Sequence, residues 1–344
     1  MPRIVIGSVF LIIFAKETRK SQEHFLQKTY PNTITMSRSN SLGKHSTTIW
    51  YHLAALLIVV AWGVSFISTR ILLDSGLHPI EIYIYRFLLA YVFMLLISHK
   101  QFRSHSWRDE GLFVICGLCG GSIYYISENV ALEYTLVSNV SLITSLSPII
   151  TAILLGALYK SERPDRGLYI GSAVAFIGVG FVIFNSSFML DIKPLGDLLA
   201  LLAALTWAIY SLVLRRLNVQ YDALFITRKT FFYGVVTALP FLAIEPEVSS
   251  VTQLFNLTVI FNLLFLALFA SLLAFLLWAI VVGKLGAITA NNYIYFQPVV
   301  TLVFSAIILG ERISIVGITG CVMILLGVWL SDWLPRRNLN RINK

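Results

Sequence analysis

Glu128 stands in "YYISENV", inside an apolar stretch long enough to cross a membrane. Ionisable side chains are costly there and are functional by default. A carboxylate in that setting could carry a coupling proton or read a substrate amine. Gly117, Gly121, Tyr124 and Glu128 follow one another at steps of four, three and four, the spacing of one helix face. Glycines at i and i+4 let helices approach closely. The stripe is therefore expected to face a helical bundle, with Glu128 turned away from lipid. A structural ion pair, or a carboxylate near the outer interface, would account for Glu128 without function. Arg86 is its candidate partner, roughly 10 Å inside the preceding apolar stretch at about 1.5 Å per residue. Arg228, a second intramembrane arginine, stands beside Lys229. It could meet an anionic group, although snorkelling to headgroups is the better expectation.

Two proline breaks add candidates. Residues 141–163 read "SLITSLSPIITAILLGALYKSER" and residues 291–312 read "NNYIYFQPVVTLVFSAIILGER". Proline removes a backbone donor and frees the carbonyl one turn earlier. In lipid that carbonyl must be satisfied by protein or by water in a cavity. Asn139, Ser141 and Ser145 precede Pro148, and Asn291, Asn292 and Gln297 precede Pro298. Ser141, Ser145 and Pro148 share one helix face, and Asn291, Tyr295 and Pro298 share the equivalent face. Both sets are expected to line a polar cavity; plain kinks are the alternative. Trp62 and Trp207 sit near the middles of their apolar stretches, and Tyr124, Tyr210, Tyr293 and Tyr295 add weakly polar aromatic surface. Such a cavity suits a small amphipathic organic molecule, at even odds with plain packing for each ring. Glu162-Arg163 and Glu311-Arg312 are read as capping and hairpin residues. No catalytic group or metal ligand is expected among any of these.

The elements that must position these residues follow from composition. Of 344 residues, 57% are hydrophobic and 12% charged. A soluble domain carries about 25% charged residues, so a large soluble domain is excluded. Ten stretches suit a span of about 20 residues: 49–70, 79–98, 111–131, 135–158, 167–185, 196–216, 222–243, 257–282, 285–309 and 312–333. The fold expected is an all-α integral membrane protein with ten transmembrane helices. The net charge of +9 would suggest nucleic acid in a soluble chain. Here the cations cluster between apolar stretches, and no nucleic-acid partner is expected. With the N-terminus inside, 20 of the 26 Lys and Arg fall in inner segments, and outer loops hold Lys193 and Arg312 alone. That asymmetry predicts two cytoplasmic termini. The pair Cys116 and Cys119 in "CGLC" has no His or second Cys pair nearby and is read as two small packed residues.

The chain contains itself twice. At an offset of 150, Pro148 falls on Pro298 and Thr151 on Thr301. At 149, Glu162 falls on Glu311, Gly171 on Gly320 and Gly178 on Gly327. At 145, Trp62 falls on Trp207, and at 142 Arg86 falls on Arg228. The order is kept, so residues 49–185 and 196–333 form two five-helix repeats joined by a linker at 186–195. They are flanked by an N-tail at 1–48 and a basic tail at 334–344. Residues 1–35 are expected to precede the true start at Met36. Five spans is an odd number, so the second repeat enters the membrane inverted. Inverted repeats are characteristic of secondary transporters, with the substrate site near the midplane between the halves.

The segments "AWGVSFISTRILLDSGLHPIEIYIYRFLLA", "ENVALEYTLVSNVSLITSLSPIITAILLGALYKSER" and "NNYIYFQPVVTLVFSAIILGER" resemble the EamA-type branch of the drug/metabolite transporter superfamily, from about residue 50 to 333. The resemblance implies ten helices, inverted repeats, and export or exchange of small metabolites such as amino acids or amines. It also implies a multi-pass protein of the bacterial inner membrane, acting as a monomer or homodimer on a small-molecule substrate within the lipid bilayer. No cofactor is expected, with proton coupling as the candidate drive. No GxxxxGK[ST] motif for ATP is present. A membrane-embedded enzyme is disfavoured because the six histidines lie in tails, loops or span ends. A receptor or scaffold would have no need of the inverted repeat.

Overall fold

The structure, a computed structural model, describes residues 42–98, 102–135, 137–158, 165–183, 194–243, 251–309 and 314–342. The chain divides into two units, 1–48 and 49–344. Of the first, residues 42–48 are described, and they are helical.

Residues 49–344 are built of helices α1 (Ile49–Asp74), α2 (Pro79–Ile97) and α3 (Trp107–Tyr134), then α4 in two pieces, Val137–Thr144 and Ser147–Leu158. Then come α5 (Arg166–Ile183), α6 (Pro194–Leu217), α7 (Ala223–Leu242) and α8 (Leu257–Leu285). α9 comprises Ala287–Asn292, a 3₁₀ turn Tyr293–Phe296 and Gln297–Leu309, and α10 is Ile315–Ile342. Among the described residues, five helices are long and apolar enough to cross a membrane. Large apolar side chains such as Leu57, Leu96, Phe261 and Ile307 are exposed on the outside of the bundle. In water that surface would be untenable; in lipid it is the expected solvent face.

Local sequence sets the helix ends. Ser106 accepts from the Asp109 amide at 3.2 Å and Asp222 from the Phe225 amide at 2.7 Å, each an N-cap. His78 and Glu81 close a capping box with Pro79 at the first helical position. Gly286 turns α8 into α9 at φ +83°, a conformation that favours glycine.

The main core joins α1, α2, α3, α6, α7, α8 and the first part of α9, and a second cluster joins α5, the later part of α9 and α10. α5 and α10 cross backbone to backbone. A Cβ on Gly171 would lie 2.6 Å from the Gly327 carbonyl oxygen, and one on Gly178 would lie 2.8 Å from that of Gly320. Gly171 and Gly320 are repeat mates, as are Gly178 and Gly327. Each glycine meets the mate of the other, which is the signature of a two-fold contact. The two repeats are thus related by a pseudo-two-fold axis passing between α5 and α10.

The repeats also share their irregularities. α3 carries a π-helical segment at Leu118–Ser122 and α8 one at Phe265–Leu273. An offset of 150 lays the first inside the second. α4 breaks just before Pro148 and α9 just before Pro298, again 150 residues apart.

Candidate functional site

A small cavity of about 10 Å³ lies between the repeats, lined by Trp62, Ser65, Tyr124, Tyr125, Glu128, Thr144, Ser147, Trp207, Ile294 and Gln297. That is room for about one water molecule; a larger guest requires the walls to move. The lining follows the pseudo-axis. Trp62 and Trp207 are mates at offset 145, and Thr144 and Ile294, and Ser147 and Gln297, are mates at offset 150. Glu128 breaks the pattern, because its mate at offset 150 is Trp278.

Aromatic rings form the walls. Trp62 meets Trp207 edge-on at 5.0 Å and Trp278 at 4.9 Å, and Tyr124 lies 5.0 Å from Trp207. The Trp62 indole donates to the Ala270 carbonyl at 3.0 Å, and Ala270 belongs to the π segment of α8. The Trp207 indole donates to Asn291 Oδ1 at 3.1 Å. Tyr124 donates its hydroxyl to Glu128 Oε1 at 3.0 Å. Among the described lining residues Glu128 is the single carboxylate, and it is buried.

The Arg86–Glu128 contact expected from the sequence is not formed. Arg86 is fully buried, but its Nε donates to Ser271 Oγ at 2.9 Å and its guanidinium lies 4.4 Å from the centre of the Tyr125 ring. Tyr125, on which the guanidinium rests, is itself a lining residue. The glycine stripe is also divided. A Cβ on Gly117 would lie 2.4 Å from Tyr233 Cβ, and one on Gly121 would lie 3.1 Å from Gly234 Cα, so both face α7. Tyr124 and Glu128 instead face Trp207 and the cavity. The π segment between them holds an extra residue per turn and rotates the rest of α3.

The proline faces shift likewise. Ser145 donates to the Ser141 carbonyl at 2.7 Å and does not line the cavity, and Ser141 and Pro148 are buried in packing. The cavity face is Thr144 and Ser147. Ser147 also repairs the backbone, since its hydroxyl donates at 2.6 Å to the Thr144 carbonyl, which Pro148 leaves without its usual amide. In α9 the Gln297 amide serves the Ile294 carbonyl through the 3₁₀ turn. Tyr295 turns into the α5–α10 cluster, Asn292 donates to Ser331 Oγ at 3.1 Å, and Pro298 is buried outside the lining. Asn291 reaches the site only through Trp207, and Tyr210 packs on Trp207 and Phe275. Tyr293 bonds His52 at 2.5 Å. Arg228 donates to the Ser98 carbonyl and stacks over Phe102 at 4.5 Å, so it belongs to a helix end and not to the cavity. Lys229 pairs with Glu110 at 2.5 Å and ties α7 to the start of α3. The Asn139 side chain and residues Glu162, Arg163, Glu311 and Arg312 lie outside the described residues.

Ser65, Tyr125, Thr144, Ser147 and Ile294 are lining residues that the sequence did not mark. The repeat offset holds the signal for one of them: Gln297 was a candidate, and its mate is Ser147.

The profile of the EamA-like transporter family matches this chain twice, over residues 49–184 and 194–331. A protein of Archaeoglobus fulgidus named "Uncharacterized transporter" is 27% identical over 284 residues, covering 81% of this chain and 96% of its own. A "Probable amino-acid metabolite efflux pump" of Salmonella typhimurium is 25% identical, covering 80% and 93%. A "Probable terminal-alkyne amino-acid exporter" of Streptantibioticus cattleyicolor is 25% identical, covering 87% and 96%. A solved crystal structure superposes with a TM-score of 0.65 over 85% of this chain and 98% of its own at 18% identity, which shows the same fold.

Proposed function

The chain belongs to the EamA-like transporter family, and on that footing we propose that it exports a small amphipathic metabolite bearing an amine, of the amino-acid kind. It is a multi-pass membrane transporter of small molecules, not an enzyme. The observation that carries the finer reading is the lone carboxylate of Glu128 in an aromatic cavity on the pseudo-axis. A carboxylate beside Tyr124 suits an ammonium group, and the Trp62 and Trp207 rings add cation–π and apolar contact. The names of the Salmonella and Streptantibioticus relatives concern amino-acid compounds and their export. Transport is secondary: the repeats exchange inward-open and outward-open shapes, and Glu128 trades a proton for substrate. The proposal includes a bacterial inner membrane with both termini cytoplasmic, and a monomer or homodimer.

Efflux and uptake of an amino-acid and amine panel in proteoliposomes, with and without a pH gradient, tests this. Flux that needs the gradient and an amine-bearing substrate supports it. Flux confined to amine-free compounds rejects the substrate class. A cytoplasm-active reporter silent at the C-terminus but active after residue 185 would reverse the orientation.

A further inference from the structure

Arg86 is a charge that the proposed function leaves unused. It is buried in α2 at 1% exposure, and a guanidinium does not give up its proton, so the charge cannot be shed. Its surroundings are neutral. Nε donates to Ser271 Oγ, and the guanidinium lies 4.4 Å from the Tyr125 ring centre and 5.9 Å from that of Phe87. Nη2 is buried with no hydrogen-bond partner, and among the described residues no carboxylate pairs with Arg86. Tyr83, stacked on Tyr125 at 5.9 Å, has a buried hydroxyl in the same condition. Buried donors without an acceptor are rare, and a buried charge is normally paired.

A packing role must be weighed first. Arg86 on the first repeat reaches Ser271 on the second, and ring faces attract a cation. Those contacts account for Nε and the faces of the guanidinium; they leave Nη2 idle. A water molecule would serve Nη2 but would bring no negative charge. A compact anion supplies both the acceptor and the charge. Its place is beside the cavity, because Tyr125 is a lining residue. The rings of Tyr125 and Tyr124 lie 4.7 Å apart, and Tyr124 donates to Glu128. Two adjacent tyrosines therefore stand between the opposite charges, with Glu128 at one end and Arg86 at the other.

We infer that Arg86 is a specificity-determining residue that reads a carboxylate, so that the substrate is a free amino acid held as a zwitterion, its ammonium on Glu128 and its carboxylate on Arg86. This rests on the reading of Glu128 as the partner of an amine. Tyr125 is the wall that turns aside to admit the carboxylate. The guanidinium then exchanges a cation–π contact for a charge-assisted hydrogen bond. A site built to hydrogen-bond one group of a substrate discriminates strongly against the analogue that lacks it.

Binding to the full chain in detergent, read from the tryptophan fluorescence of the cavity wall, tests this. The probes are amino acids, each paired with the amine that lacks its carboxylate: leucine with isopentylamine, phenylalanine with phenethylamine, γ-aminobutyrate with propylamine. In the wild type at least one amino acid should bind about tenfold more tightly than its amine, or better. Arg86→Gln should bring that ratio to about one and leave the affinity for the amine unchanged, which a loss of packing alone would not do. Arg86→Lys keeps the charge but not the fork, and its ratio should fall between the two; it decides the matter if the glutamine variant fails to insert. A wild-type ratio near one in every pair, or a ratio unchanged in both variants, overturns this inference and leaves the amine reading of Glu128 standing. Hydrocinnamate bound in preference to phenethylamine rejects the Glu128 reading instead. No response to any probe rejects both.

Discussion

α3 and α8 are the same helix twice, and they differ where it counts. Both carry a π segment at the same place in the repeat. Tyr125 on one answers Phe275 on the other, and both rings pack against Phe87. At the next turn α3 presents Glu128 to the cavity, while α8 presents Trp278 to the ring of Trp62. Gly117, just before the π segment of α3, and Gly121, inside it, correspond to Ala267 and Ser271, both within the π segment of α8. The frame is symmetric, as the proposed exchange between inward-open and outward-open shapes requires. The carboxylate is on one side alone, and under the proposed function a single carboxylate suffices to carry one proton or hold one ammonium.

The largest effect is expected from removing that one-sidedness. Glu128→Gln keeps size and most hydrogen bonding, and proton-driven flux in proteoliposomes should fall about tenfold or more, equivalent to about 1.4 kcal/mol in the barrier. Melting should hardly move, because Arg86 rests on Ser271 and Tyr125 and does not touch Glu128. Full proton-driven flux in that variant would end the coupling proposal. Loss of melting temperature together with flux would assign Glu128 to architecture.

Next comes the crossing. Gly117→Ala gives α3 the residue its mate already has, yet the new methyl would sit 2.4 Å from Tyr233 Cβ and 2.7 Å from the Gly234 amide nitrogen. Overpacking of this kind costs about 1–3 kcal/mol. Gly180→Ala, with nothing within 4 Å, is the control and should be neutral. Equal melting curves for the two variants would mean that α3 and α7 are not in close contact in the membrane.

The proline breaks offer a finer contrast. Ser147→Ala strands the Thr144 carbonyl, a buried acceptor, at about 1–3 kcal/mol. Gln297→Ala strands nothing on the backbone, since the Gln297 amide serves Ile294. Thermal unfolding in detergent should therefore separate mates that occupy the same place in the cavity. Smallest is Trp207→Phe, which gives up one hydrogen bond to Asn291, about 1 kcal/mol. An effect on stability as large as that of Gly117→Ala would mean that the indole does more than hold Asn291.

The parts of this architecture that depend on sums were legible in the sequence. Ten apolar stretches, the offset near 150 and the two prolines survive a local error of one residue. What depends on phase was not. The π segment of α3 turned Gly117 and Gly121 toward α7 and Glu128 toward the cavity, although simple spacing puts all three on one face. The break in α4 moved the cavity face from Ser141 and Ser145 to Thr144 and Ser147, and the 3₁₀ turn in α9 sent Tyr295 into the α5–α10 cluster. A rotation of one residue is about 100°, enough to carry a side chain from cavity to core. Arg86 was misjudged for a different reason. Opposite charges on neighbouring helices invite pairing, but the guanidinium meets a serine hydroxyl from the other repeat and a tyrosine face from its own.

The shared π segment also carries a record of ancestry. It arises from one extra residue lodged in a helix, and the same lodgement occurs at matching positions in both halves. Two separate insertions at one place are a poorer account than a single insertion inherited by both copies. The distortion, like the proline break, then predates the doubling of the gene. The divergence of Glu128 and Trp278 follows it, since both descend from one ancestral position. On that account the ancestral half already carried the distortion that each half now carries, and the two halves came to differ in charge only after the doubling.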